Sequence, residues 1–196
     1  LTDSGYIQTK GKLIVVSAPS GAGKTTIVHY LMKKLPELEF SVSACSRTKR
    51  PNEKKGIDYY FLSIAEFKRK IENKEFIEWE EVYPDQFYGT LKSELERIWA
   101  KGHPVIFDVD VLGGINIKNL YGKNCLAVFI MPPSIEELKK RLENRSTETE
   151  ESLKKRLGRA KKEMTYAGSF DVVIINDQLE KAQKKAEAKI REFLEN

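Results

Sequence analysis

The chain has 196 residues, 40% of them hydrophobic and 32% charged, with a formal net charge of +5 and a pI near 9.0. That balance excludes a disordered chain and leaves enough apolar side chains for one buried core, while no apolar run nears the ~20 residues a membrane-spanning helix needs. Two cysteines, Cys45 and Cys125, and two histidines argue against a zinc cluster and fit a reducing cytosol.

In chain order, Leu1 to Lys10 is polar and has no apolar stretch of the signal-peptide kind. It lacks an initiator Met and is expected to be an N-terminal extension of a cytoplasmic protein whose start has been trimmed. Five segments read as buried strands: Lys12 to Ser17, Glu39 to Ala44, Pro104 to Val109, Asn124 to Met131 and Asp171 to Asn176. The near-continuous apolar runs LIVV, AVFIM and VVII among them suit strands covered on both faces of a parallel sheet. Helical patterns fall between them. Thr25 to Leu35 stops at Pro36; Ser63-x-x-Glu66 and Ser134-x-x-Glu137 are capping-box signals, the second opening a helix through Arg145. Leu91, Leu95 and Ile98 form a stripe ending at Gly102, and a last helix spans Leu179 to Leu194. Strands alternating with helices predict a doubly wound α/β core.

Two stretches break this rhythm. Residues 43–90 are aromatic and charged, with strand-like segments at Tyr59–Leu62 and Phe76–Val82, and read as an inserted subdomain. Residues 144–166 are polar and helix-favouring with few anchoring side chains, the composition of a mobile lid. The core is then expected at about 11–42, 91–143 and 167–194, all within a single domain spanning 11–190. The basic excess favours polyanionic ligands. Much of it lies in helical stretches such as Lys181 to Lys189, where it alternates with Glu as on a solvated face.

The strongest signal is Ala18-Pro19-Ser20-Gly21-Ala22-Gly23-Lys24-Thr25, followed by Thr26, between an apolar strand and a helix. That context is what a Walker A phosphate loop requires. Gly21 and Gly23 let backbone N–H groups approach phosphate oxygens, and the helix N-terminus adds positive potential. Lys24 is placed to reach the β- and γ-phosphates of ATP, and the Thr25 hydroxyl to ligate Mg²⁺. Ala18 stands where the motif usually has its first Gly. Asp108 ends an apolar strand, expected at the crevice side of a parallel sheet, where it would lie beside Mg²⁺ or a water bound to it. Alternation would put Asp110 on the same side of an extended strand. Arg47 and Arg50, three apart in a loop, offer guanidinium forks for a second phosphate, with Tyr59 and Tyr88 as phenolic donors. Taken singly, each tyrosine reads as core packing.

With these blocks in order, from about Gly11 to Leu194, the sequence resembles the guanylate kinase family. It carries SAPSGAGKTT, SRTKRP, GIDYYF, FIEWEEV with FYGT, FDVD, and MPPSIEELKKRLENRSTETEESLKKRL. The resemblance implies a P-loop NTPase-type core with an inserted GMP-binding subdomain and a helical lid. It implies transfer of the γ-phosphoryl group of ATP to GMP, giving ADP and GDP, with Mg²⁺, as in GMP recycling in purine metabolism. Arg47, Arg50, Tyr59 and Tyr88 would hold the GMP phosphate; Ser43, Glu78, Gly89 and Thr90 would recognise guanine, with Asp108 and Asp110 alongside. A carboxylate at Glu78 suits guanine, which donates from N1–H and its 2-amino group where adenine does not; on its own, that residue reads as a surface carboxylate of an edge strand. Arg141, Arg145 and Arg156 would approach the transferring phosphoryl group, Arg141 and Arg145 sharing one helix face at i and i+4. Asn176 would touch the adenine side of ATP. Val111-Leu112-Gly113 departs from the family, which often has Gln before that Gly, and puts the surroundings of Asp110 in question. The expected partners are the two nucleotides, with neither nucleic acid nor membrane, in a monomer or homodimer. A scaffold domain of guanylate-kinase type, a kinase for another small-molecule phosphate and a nucleic-acid-binding surface are the competing readings; the intact Gly23-Lys24-Thr25, the Arg pair and Glu78, and the absence of a nucleic-acid motif weigh against them in turn.

Overall fold

The computed structural model describes residues 11–144 and 150–196. Residues 1–10, expected to be an extension, and Arg145 lie outside the described residues.

Strand β1 (Leu13–Ser17) leads into helix α1 (Lys24–Lys34) and strand β2 (Glu39–Phe40). A second unit of structure follows: β3 (Ala44–Cys45), β4 (Tyr60–Phe61), α2 (Ile64–Glu72), β5 (Phe76–Tyr83) and β6 (Gln86–Leu91). The chain returns through α3 (Lys92–Trp99) to β7 (Val105–Asp108), α4 (Val111–Tyr121) and β8 (Cys125–Met131). It ends in α5 (Ile135–Glu143), α6 (Glu150–Thr165), β9 (Val172–Ile175) and α7 (Leu179–Glu195).

One sheet has the order β2-β7-β1-β8-β9, all parallel, with β1 at its centre. Every residue of β1 is buried because alternate side chains enter two different cores. Ile14 and Val16 pack with Ile27 and Leu31 of α1 and with Ala186 and Ile190 of α7. Leu13 and Val15 face the other way, with Leu95 and Ile98 of α3 and Ile117 of α4. Helices on both faces make this the doubly wound α/β core that the alternating pattern predicts.

The second sheet, β4-β3-β6-β5, is mixed and smaller. Phe67 of α2 closes its apolar side, with ring centroids 4.3 Å from Phe76 and 5.5 Å from Phe87. The segment Glu39–Ala44, expected as one strand, divides: β2 belongs to the first sheet and β3 to the second. Val42 marks the break, where the backbone leaves one ladder before joining the other.

The Ser63 capping box forms in both directions, at 3.2 Å from Glu66 N–H to Ser63 Oγ and 2.8 Å from Ser63 N–H to Glu66 Oε2. The Ser134 cap accepts from Glu137 N–H at 3.1 Å, while the Glu137 carboxylate takes Arg141 Nε instead. Residues 150–165 are better anchored than their composition suggests: Ala160 is buried on Leu138 and Leu142, with Leu153 and Leu157 beside it. Asp110 is also not on a strand. β7 stops at Asp108, and Asp110 caps α4 by accepting from Gly113 N–H at 2.9 Å.

Emptying the Phe67 site removes contacts to both neighbouring rings. Phe67→Ala is expected to destabilise the protein by about 3–5 kcal/mol, measured by urea unfolding.

Candidate active site

The loop after β1 has to turn its amides inward and hand over to α1 within a few residues. Gly23 makes that handover at φ 94°, a conformation open to glycine, and caps α1. Ala22 N–H donates to Pro19 O at 3.1 Å, closing the turn. Beneath Gly23 lies the buried Asn176 side chain, whose Nδ2 donates to Ala22 O at 2.7 Å. A Cβ on Gly23 would overlap that amide nitrogen. Asn176, expected on the adenine side, therefore has its amide beneath the phosphate loop, and its own carbonyl accepts from Arg141 Nη2 at 3.0 Å. Ala18, at the usual first glycine position, is nearly buried in the apolar core behind the loop.

The ends of β1 and β7 converge on this loop. Lys24 forms an ion pair with Asp108 and also donates to Val109 O at 2.9 Å. Thr25 Oγ1 lies 3.4 Å from the other Asp108 oxygen. A hydroxyl beside a carboxylate is the hard-oxygen donor set that Mg²⁺ prefers. The buried Ser17 hydroxyl secures the following turn by donating to Asp110 O at 3.0 Å.

On the second sheet, Arg47 is held on three sides. Its two terminal nitrogens donate to Glu53 at 2.7 and 2.6 Å, its Nε donates to Tyr88 Oη at 3.1 Å, and its carbon sits 4.9 Å from the centre of the Tyr59 ring. Glu53 also accepts from the backbone N–H of Arg50 at 2.8 Å, so one carboxylate organises both arginines. The Arg47 guanidinium holds the Glu53 carboxyl down at about 2. Burial and the charge of Asp108 raise the Tyr59 phenol.

A row of polar groups crosses the same sheet. Glu78 pairs with Thr90 between β5 and β6, and Ala44 pairs with Gly89 between β3 and β6. Ser43, one residue before Ala44, is thereby brought level with Thr90. Glu78 is only 7% exposed and accepts from Thr90 Oγ1 at 2.7 Å. Gly113 leaves room for it: a Cβ there would come within 2.8 Å of Glu78 Oε2. Burial pushes the Glu78 carboxyl from its ordinary 4.5 up to about 7, and the negative charge of Asp110 adds to the rise.

Of the arginines expected near the transferring group, Arg141 lies against Glu137 and the Asn176 carbonyl, and Arg156 is half-buried on α6. Sequence reasoning passed over Glu53, Glu80, Arg159 and Glu163. Arg159 Nε donates to Glu163 at 2.6 Å, and against the pull of burial this bond, with the charges of Glu163, Glu80 and Asp110, holds the Arg159 guanidinium more firmly protonated. Burial and the neighbouring Asp110 carboxyl raise the Glu80 carboxyl. The alternation of β5 carried a signal for Glu80, which shares a face with Glu78; Glu53, in an irregular loop, carried none.

A glycine comparison tests the loop geometry. Gly23→Ala is expected to lower stability by about 2 kcal/mol through strain and the Asn176 overlap. Gly158→Ala, in α6 with open space around it, is expected to raise stability by about 1 kcal/mol. Paired urea titrations check both signs.

The guanylate kinase family model matches residues 10–193. A guanylate kinase of Bacteroides fragilis is 52% identical over 94% of this chain and 91% of its own length. One from Salinibacter ruber is 49% identical over 93% and 96%. The crystal structure of guanylate kinase from Anaplasma phagocytophilum superposes with a TM-score of 0.77 at 30% identity, covering 95% of this chain and 87% of that one. With the phosphate loop, the Arg47 cluster and the Glu78 row already in one fold, the match over nearly the whole chain places this protein in the guanylate kinase family.

Proposed function

We propose that the protein transfers the γ-phosphoryl group of ATP to GMP, giving ADP and GDP. The observation that carries this reading is the pairing, within one fold, of a phosphate loop with a buried Glu78–Thr90 row and a tyrosine-flanked arginine cluster.

ATP lies on residues 18–26, with loop amides and the α1 N-terminus around its phosphates and Lys24 on the β- and γ-phosphates. Asn176 acts on ATP by holding the loop from beneath, on the adenine side. Thr25, and Asp108 directly or through a water, would hold Mg²⁺, and the ion would supply positive charge to offset that of the phosphates. The second sheet takes GMP: Arg47, Arg50, Tyr59 and Tyr88 on its phosphate, and Glu78, Thr90, Ser43 and Gly89 around guanine. Glu53 keeps Arg47 in register for that contact. Asp108 and Asp110 form the wall between the two nucleotides.

Residues 144–166 act as a lid, and Arg141, Arg145 and Arg156 offset charge on the transferring group. Transfer then depends on alignment and electrostatics, with water kept out to limit wasteful ATP hydrolysis. Cys45 and Cys125 are buried free thiols, which supports work in a reducing compartment such as the cytosol. Among the described residues no helix is long and apolar enough to cross a membrane.

A coupled ADP-release assay with ATP, Mg²⁺ and one of GMP, AMP, CMP or UMP is expected to give rapid turnover with GMP alone. Equal rates with AMP, or none with GMP, would overturn the reading. Lys24→Ala is expected to lower kcat by at least about 100-fold while circular dichroism stays native.

The Glu78 shift sets a pH dependence. Guanine is bound by the ionised carboxylate, so KM for GMP is expected to rise as pH falls through about 7. Glu78→Gln should raise KM and flatten that profile. For stability the sign is opposite. The folded state holds the Glu78 proton more tightly than the unfolded chain, so this residue's contribution falls as pH rises from 4.5 to about 7.

A further inference from the structure

The chain crosses between its two sheets twice, outward between Phe40 and Ala44 and back where β6 meets α3. On the outward crossing, Ser41 N–H still donates to Ile106 O of the first sheet at 3.0 Å, and Ser43 O already accepts from Tyr60 N–H of the second at 2.9 Å. Val42 lies between the two ladders and is buried. A buried backbone N–H without a partner is strongly disfavoured. Here the partner is a side chain: Glu94 Oε1 accepts from Val42 N–H at 3.0 Å.

Glu94 is 2% exposed and sits in the first turn of α3, on the returning crossing. Its other oxygen accepts from the Tyr60 hydroxyl of β4 at 3.1 Å. Arg97 grips both oxygens, at 2.8 and 3.1 Å, and reaches on to Glu39 of β2. Lys101 and His103 complete the group around Glu39 at 2.7 and 3.0 Å. One buried carboxylate thus joins the outgoing strand, the second sheet, the returning helix and the edge of the first sheet. None of the contacts proposed for ATP or GMP uses it.

We propose that Glu94 is a positioning residue for the acceptor: by fixing Val42 against α3 it sets Ser43, and the polar row beside it, at the correct angle to the phosphate loop. This rests on the assignment of GMP to the second sheet. The residues around ATP belong to the first sheet and do not depend on Glu94, so a loss of this carboxylate should act on one substrate and spare the other.

The test is steady-state kinetics of the full chain with each substrate varied in turn, for wild type, Glu94→Ala, Glu94→Gln and Tyr60→Phe. Glu94→Ala is expected to raise KM for GMP about tenfold, because Val42 and Tyr60 lose their acceptor together, while KM for ATP stays within about twofold. The Gln variant keeps an oxygen for Val42 N–H and should recover to within about threefold of wild type, with Tyr60→Phe also within about threefold but measurably raised. An unchanged KM for GMP in Glu94→Ala would overturn the proposal. So would equal rises for both substrates, or a Gln variant no better than Ala. Should Glu94→Ala fail to fold, the other two variants decide: wild-type KM for GMP in both overturns it. A wild-type protein that releases ADP no faster with GMP would instead overturn the proposed function, and the same assay reads that separately.

Discussion

The phosphate loop depends on one buried amide. Asn176 donates from its backbone to Met131 O at 2.8 Å, from its side chain to Ala22 O, and receives Arg141 on its carbonyl. Ala22 N–H closes the turn on Pro19 O, and the Ala22 carbonyl is tied from behind by Asn176, a tie that needs room. Gly23 provides that room by having no side chain, in a conformation that a side chain would also disfavour. Asn176 itself joins the loop to the C-terminal end of β8 and to the helix bearing Arg141. Loop, sheet and one cationic side chain are therefore placed by a single set of hydrogen bonds.

The carboxylates divide into two electrostatic classes. Glu53 and Glu39 are paired with cations at the surface, and both are pulled down to about 2. In the first the Arg47 contact leads; in the second burial opposes the fall, and Lys101, Arg97 and His103 outweigh it. Glu78, Glu80 and Glu163 are shifted upward, in each case mainly by burial. The raised group lies where β5, the cap of α4 and α6 meet. Cations offset the charge of Glu39 and Glu53, whereas for Glu78, Glu80 and Glu163 burial outweighs the contacts that favour the ionised form, the Arg159 pair of Glu163 included. Upward shifts concentrated in a cleft mark binding sites more often than packing sites.

Much of this was legible in the amino acids. Runs such as LIVV and AVFIM have no polar face, and only a sheet covered on both sides accommodates them. Gly-x-Gly-Lys-Thr located the loop, which lies between β1 and α1 with Gly21 and Gly23 both at positive φ. The division of Glu39–Ala44 was not legible: six residues of good strand character give no hint that the ladder partner changes at Val42. Nor was α4, whose Gly113-Gly114 pair lowers helix propensity and which closes instead through the Asp110 cap and the packing of Val111 and Ile117. Glu53 and Glu94 escaped for a common reason. Their partners are distant or irregular in sequence, and an isolated glutamate looks the same whether it faces solvent or a buried N–H.

The placing of the two crossings has a mechanical consequence. Val42 and Glu94 bring the outgoing and returning strands of chain side by side, and the second sheet meets the core again where Glu78 of β5 lies against Gly113 of α4. A body held along its crossing line and at a second place is braced against turning about that line. The angle between the two sheets is therefore set jointly by the bonds around Glu94 and by the fit of Glu78 against α4.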